Sequence, residues 1–544
     1  LTAATLPPVQ RRLILVIAGA LAVAGCSRRE TLVDAGTRDQ VLHFGNKDEP
    51  ADLDPEISSA GSTNKLLSSL FQGLVVLSGD DLGVLPGMAD RWSVSPDGLT
   101  YVFHIREDAR WSNGEPLTSK DFLDSFMRVL DPRVGCEDAG WTFPIRGARD
   151  FLEGRSDDPA TIGISAPDPR TFVIILGHPA PYMPMLLATH LFYPVYMPSL
   201  DANGGRRQRG GPWTRPGVLV GNGPFTLAEW KPNAYVSVKR NPNFWDAAHV
   251  QLSEIRFYPT DDENSEERAF RAGELHVTAR LPKTKVAVYN TLHGKELHVV
   301  PLLRTNFLTF NMAKAPFTDP RVRRAFSLAI DREKLVRAAF GALGTPAFSF
   351  VRPGTGGYTP AKGFRFDPAE ARRQLEAAGY PGGAGLAPVE LTLNGNTGTI
   401  LAAAEVIQHM WAENLGVRAN LNPLEFKVYL STERERQFQV VFEGWTYAMP
   451  DPRDMLEQGV TRDPNNDSQA SSPEYDAAFA ATDRTADEAR RREAFDRMEA
   501  INARECFYAP IYYTNQSFLV HPSVRGWHDN AIDIVEWRGI HLEP

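Results

Sequence analysis

The chain has 544 residues, 42% of them hydrophobic, 23% charged and 10% aromatic, with a formal net charge of −9 at pH 7. This is the composition of a folded globular protein, and at about 150 residues per domain the length implies three or four domains. The acid excess argues against nucleic acid or an anionic membrane surface as a partner, because each repels an acidic protein.

The first recognisable segment is N-terminal. Arg11 and Arg12 precede an apolar stretch from Leu13 to Ala24, which ends in Val23-Ala24-Gly25-Cys26. A short basic stretch, an apolar run and small residues before a cut make a secretory signal. The run is shorter than the roughly 20 residues needed to span a bilayer. The Val-Ala-Gly-Cys ending resembles a bacterial lipobox. It implies a signal peptide over 1–25, a lipid on Cys26, and a protein tethered on the periplasmic or cell-surface side of a bacterial membrane. A plain signal peptide with an incidental cysteine is the alternative. Losing residues 1–25 removes two arginines and no acid, taking the net charge from −9 to −11. Cys136 and Cys506 remain; the exported compartment permits a disulfide, but their wide separation favours two buried free thiols. No Cys/His set has zinc-ligand spacing, and no metal is expected.

Residues 27–40 read as a polar tether, followed by a strand at 41–44. A helix is expected over 63–71, closed by Gly73. Residues 99–106 alternate, with Tyr101, Phe103 and Ile105 on one side, and predict a strand. Thr118 and Asp121 resemble a capping box opening a helix. Residues 162–176 read as a hairpin turning at 166–169. The stretch 201–217 carries Arg206, Arg207, Arg209 and Arg215; it is either a solvated loop or a site for an acidic partner. A strand is expected at 225–230. Asp319 and Asp331 are N-caps of successive helices, with Pro320 at a first helical position and Ile330 and Leu335 placed as a hydrophobic staple. Helices are expected at 368–378, 405–414 and 486–504, and strands at 417–421 and 507–513. Strands and helices alternate through most of the chain, which is α/β or mixed architecture in several lobes.

Enzymatic signatures are missing: there is no Gly-x-Ser-x-Gly, His-Glu-x-x-His, P-loop or dinucleotide fingerprint. The Asp463–Asp467 stretch faintly suggests a calcium loop but lacks the rest of the ligand spacing. No cofactor is expected. An exported hydrolase acting on peptides or glycans remains an alternative; Asp138, Glu443 and Asp451 are the acids it would have to use. A weak holdase of unfolded chains is a third.

Seven blocks together resemble one family, the extracytoplasmic solute-binding proteins of peptide ABC importers. They are Thr100–Arg106 continuing through Ala109–Thr118 to Asp121-Phe122; Gly221–Phe225; Asn241–Trp245; Asn306–Asn311; Pro316–Ala325; Ala377–Tyr380; and Gly444-Trp445. The resemblance covers about 41–535. It implies a periplasmic-binding-protein-like two-lobed α/β fold with a third, inserted domain and a ligand cleft between the lobes. One lobe would comprise 27–60, 216–305 and 515–544 with the insertion 61–215, and the other 306–514. It implies capture of an oligopeptide, delivery to an ABC permease in the inner membrane, a monomer, and no catalysis. A sensor would use the same lobe closure.

Within that resemblance, Trp445 is expected to face the ligand, flanked by Thr446 and Tyr447. The chain also departs from the family's pattern. Where oligopeptide binders carry a carboxylate for the α-ammonium, three residues after the Trp, this sequence has Ala448. A family tryptophan becomes Phe426, a tyrosine becomes Asp138, and a late pocket tyrosine becomes Thr514. Either Asp138 or Asp451 supplies the charge from a new direction, or the ligand has no free α-amine, as in an N-blocked, cyclic or cell-wall-derived peptide or a non-peptide solute. A slip in the register near 448 would remove the discrepancy.

Overall fold

The structure is a computed structural model that describes residues 30–58, 61–395 and 398–544. The signal segment and Cys26 lie outside the described residues. The expected polar tether is corrected at once, because Leu32–Asp39 is a helix. Its cause is local. Thr31 Oγ1 accepts from the Asp34 N–H while the Asp34 carboxylate accepts from the Thr31 N–H, a complete capping box. Val33 and Gly36 then bury the inner face.

The strand Val41–Gly45 pairs in parallel with Glu254–Tyr258, and the sheet continues antiparallel through Tyr235–Arg240 to Phe225–Lys231. Inserted after this first strand is a second four-stranded sheet, in which Ala89–Val94, Thr100–Ile105, Thr171–Ile175 and Ile164–Asp168 lie side by side. Tyr101, Phe103 and Ile105 are buried, as their alternation predicts. Asp168 pairs directly with Thr171, so the hairpin turns at Pro169-Arg170, later than expected, after an irregularity at Ser165–Asp168. Thr118 and Asp121 form the capping box of helix Ser119–Val129. From that helix the buried Arg128 grips Asp54 at 2.6 Å and also Glu56. It donates as well to the carbonyls of Arg206 and Gln208, which pins the arginine-rich loop. Arg206 pairs with Asp201 and Asp124, and Arg207 with Asp131, so these two charges are matched within the chain.

The other lobe is built on a six-stranded sheet in the order Gly344–Pro346, Tyr508–Leu519, Leu297–Phe310, Val440–Thr446, Val389–Asn394, Ala419–Leu424. Asp319 and Asp331 cap Pro320–Leu328 and Arg332–Ala339 through their side chains, and Ile330 and Leu335 are fully buried. Three expected elements shift. The helix expected from 405 begins at Gly398, because the preceding alanines extend it and Ala403 and Ala404 are buried. The strand expected at 417–421 runs Ala419–Leu424, its bounds set by parallel pairing with Val389–Asn394. The strand expected to end at 513 runs on to Leu519, because 515–519 pair with Leu297–Pro301. Cys136 and Cys506 are free thiols. Among the described residues no helix is long and apolar enough to cross a membrane.

Two strands tie the lobes together. Residues 297–301 of the long strand pair only with 515–519, whereas 304–310 pair with 440–446. The break between Pro301 and Thr305 is therefore where this paired extension crosses into the six-stranded sheet. Arg352 clamps this point, donating to the carbonyls of Leu302 and Thr514 at 2.8 Å each.

Candidate cleft at the end of the interlobe strands

The strand Val440–Thr446 ends beside this crossing, and its last residues form the candidate site. Trp445 is half-buried and Thr446 exposed. Gly444, between the paired strands, leaves room for two neighbouring side chains. A Cβ there would lie 2.8 Å from Arg304 Nη2 and closer still to Asn306 Oδ1. Arg304 Nη1 donates to Thr446 Oγ1 at 2.6 Å, and Asn306 Nδ2 donates to Thr514 Oγ1 at 2.8 Å. Arg304, Asn306, Gly444, Thr446 and Thr514 thus make one polar patch at the end of the sheet.

Beyond Thr446 the chain turns around a carboxylate that the sequence did not advertise. Asp454 accepts from the indole N–H of Trp445 at 3.1 Å, from the Met449 N–H at 3.1 Å, and from the Ala448 N–H. Burial pushes its pKa up to about 6, against these three donors. The only sequence signal for Asp454 is its place in the first turn of the helix Pro452–Leu456.

Two residues before Trp445 on the same strand, and opposite in face to Gly444 and Thr446, Glu443 accepts from Thr309 Oγ1 and lies with Glu433 and Asp467, their carboxylate oxygens within 4.8 Å of one another. Burial and the adjacent carboxylates raise the Glu443 pKa well above its ordinary value and push Asp467 up to about 7. Asp467 comes from the loop with the faint calcium-like spacing.

The remaining expected residues divide. Phe426 opens the helix Phe426–Arg434 and is 54% exposed. Tyr447 is corrected to a wall residue: it is buried, and its hydroxyl meets Thr305 Oγ1 at 2.9 Å and accepts from the Arg352 N–H at 3.0 Å. Asp451 is corrected likewise. It is buried, caps the following helix, and holds Arg491 with both oxygens at 3.0 Å, so its charge is already matched. Asp138 lies in the inserted domain, half-buried beside Cys136, and burial raises its pKa while the nearby His190 opposes the shift. Among the described residues no hydrogen bond or ion pair joins Asp138 to the 445–454 segment.

The two lobes touch next to this turn. Tyr182 of the inserted domain is buried with Arg453 5.1 Å and Arg491 5.9 Å from its ring centre, and Met449 packs into the same apolar cluster as Tyr182. Arg453 is itself held by Asp483 at 3.0 Å and Glu457 at 3.2 Å.

Comparison with known proteins agrees with this architecture. Residues 83–467 match the family model described as bacterial extracellular solute-binding proteins, family 5. The chain is 30% identical over 528 residues to the periplasmic oligopeptide-binding protein of Salmonella typhimurium, covering 94% of this chain and 95% of that one. It is 28% identical over 497 residues to the probable deoxycholate-binding periplasmic protein of Escherichia coli, covering 90% of each. The solved murein tripeptide-binding protein of Escherichia coli superposes with a TM-score of 0.78 at 29% identity, covering 92% of this chain and 98% of that one. With a family model spanning most of its length and relatives aligned almost end to end, this chain belongs to family 5 of the bacterial extracellular solute-binding proteins.

Proposed function

We propose that the protein captures oligopeptides in the cleft between its lobes and delivers them to an ABC importer, held at the membrane by a lipid on Cys26 and acting as a monomer without catalysis. The lobes we assign to closure are 27–60, 216–305 and 515–544 with the insertion 61–215 on one side, and 306–514 on the other. An extended peptide would pair with the backbone at the end of the Val440–Thr446 strand, which gives affinity without reading side chains. Trp445, Thr446, Phe426 and Thr514 are the contacts we assign around it.

The observation that carries the reading is the state of the acids at this strand end. Ala448 offers no carboxylate, Asp451 is matched by Arg491, and Asp454 is engaged by three donors. A buried α-ammonium without a carboxylate partner costs several kcal/mol. This favours a ligand whose amine is blocked, cyclised or absent, such as an N-blocked or cell-wall-derived peptide. The same observation favours a second reading, a non-peptide solute, and one relative bears the name of a deoxycholate binder. Native mass spectrometry on protein beginning at Ser27, incubated with free and N-acetylated short peptides, tests the reading. Retention of acetylated peptides is expected. Selective retention of free peptides would return Asp138 to the role of ammonium partner, and retention of a non-peptide mass alone would end the peptide assignment. Turnover of any peptide would favour the hydrolase alternative.

A further inference from the structure

Of the four arginines around the strand end and the lobe crossing, three are held by a carboxylate or by several acceptors. Arg352 is bound to two carbonyls and to Asn515, Arg453 to Asp483 and Glu457, and Arg491 to Asp451. Arg304 differs. Its guanidinium makes one hydrogen bond, from Nη1 to Thr446 Oγ1, and among the described residues no carboxylate lies within ion-pair distance of it. A guanidinium has five N–H donors in a planar fork. Four of those donors therefore have no protein acceptor.

The guanidinium is not sealed from solvent, so a ligand can reach its free donors. Arg304 is half-buried, and burial lowers its pKa. Gly444 has no side chain, and the space its Cβ would take is occupied by Asn306 Oδ1 and Arg304 Nη2, so the guanidinium lies against bare backbone at the end of the sheet. A cation withdrawn partly from water with most of its donors unused is stabilised most by a planar anion that takes two N–H groups at once, which is the geometry of a carboxylate. The protein as a whole is acidic, with a net charge of −9, so general attraction of anions cannot account for an unmatched arginine here.

We propose that Arg304 is the specificity-determining residue of the cleft and that the captured solute presents a carboxylate to its guanidinium fork, beside Thr446 and Thr514. This deepens the binding reading above and rests on the cleft being the ligand site. The carboxylate comes from a peptide C-terminus, an acidic side chain, or a non-peptide acid; all three share the chemistry, and the test separates them.

The test is competitive native mass spectrometry on the full exported chain with six probes. These are N-acetyl-trialanine and its C-terminal amide, N-acetyl-Ala-Glu-Ala amide and its Gln counterpart, and deoxycholate and its carboxamide. The expected result is that at least one carboxylate probe is retained tenfold or more over its neutral partner. That preference falls to about onefold in Arg304→Gln and is partly kept in Arg304→Lys, with both variants unfolding at the wild-type temperature within a few degrees. Which pair shows the preference identifies the source of the carboxylate. If only deoxycholate is selected in an Arg304-dependent way, the inference stands and the peptide reading falls. If a peptide is retained equally as acid and amide, or if Arg304→Gln keeps the preference, the inference is overturned while peptide capture survives. Retention of no probe sinks both.

Discussion

The carboxylate of Asp454 receives the indole N–H of Trp445 at 3.1 Å, and the same carboxylate receives the backbone N–H groups of Ala448 and Met449. The aromatic at the strand end is therefore fixed by a group nine residues later, and the turn between them is wrapped around one buried charge. An acid in this role orients the wall of the cleft and has little capacity left for a ligand.

The first prediction concerns that anchor. Replacing Asp454 by Ala leaves three donors without their acceptor in a buried turn. Hydrogen bonds to a charged group contribute about 1.5–3 kcal/mol each, though not additively. Asp454→Ala is expected to lower the unfolding free energy by about 2–4 kcal/mol, read as a shifted denaturant midpoint at unchanged slope. It should also red-shift tryptophan emission as Trp445 loosens. A wild-type midpoint would show that the turn is held by packing alone.

How far this arrangement is legible in the sequence depends on the range of the interactions. Asp319, Asp331 and the Thr118/Asp121 pair are short-range devices, and each caps the helix it was expected to cap. The alternation of Tyr101, Phe103 and Ile105 likewise translates directly into burial. The Gly444-Trp445 pair could be picked out because the block resembles a family signature. What escapes is whatever depends on a distant partner. Asp451 looked like a spare acid until Arg491, forty residues on, was placed against it. Arg304 carries no sequence signal, because being unmatched is a property of the folded surroundings. The helix Leu32–Asp39 is a local exception: its capping box is short-range, but its low apolar content gives a weak helical pattern, because it buries only Val33, Gly36 and Thr37.

Gly444 supplies a steric prediction. An added methyl would meet Asn306 Oδ1 and Arg304 Nη2, both fixed by hydrogen bonds to Thr514 and Thr446. Overpacking of this kind costs about 1–3 kcal/mol. Gly444→Ala is expected to destabilise by that amount and to weaken ligand binding further, because the displaced side chains line the cleft. Isothermal titration together with chemical unfolding separates the two effects. Unchanged affinity at reduced stability would remove Arg304 and Asn306 from the ligand's surroundings.

The acid cluster beneath the strand sets a pH dependence. Glu443 and Asp467 have folded-state pKa values above their ordinary ones, Asp467 at about 7. The native state thus keeps a proton that the unfolded chain has released. The stability this contributes is complete below about pH 4 and is lost as pH rises through about 7. Glu443→Gln keeps an acceptor for Thr309 and removes one buried acid. Its melting temperature is expected to exceed that of the wild type at pH 8 and to approach it at pH 5. Parallel melting curves across pH 5–8 would contradict a raised pKa at Glu443.

Lobe closure has its own handle in Tyr182, which reaches from the inserted domain to Arg453 and Arg491 of the other lobe. Each cation–π contact is worth about 0.5–2 kcal/mol when desolvated, and neither arginine depends on Tyr182 for its charge balance, since Asp483 and Asp451 already hold them. Removing the ring should therefore leave each lobe folded and act on the open–closed equilibrium. A ligand that binds the closed state loses affinity in proportion to the fraction of closed protein it finds. Tyr182→Ala is accordingly expected to weaken binding roughly 10- to 100-fold, with an enlarged radius of gyration in small-angle scattering of the ligand-free protein. Tyr182→Phe, which keeps the ring and loses only the hydroxyl, should stay near wild type in both measurements. If Tyr182→Ala binds normally and scatters as the wild type does, the contact follows closure and does not stabilise it.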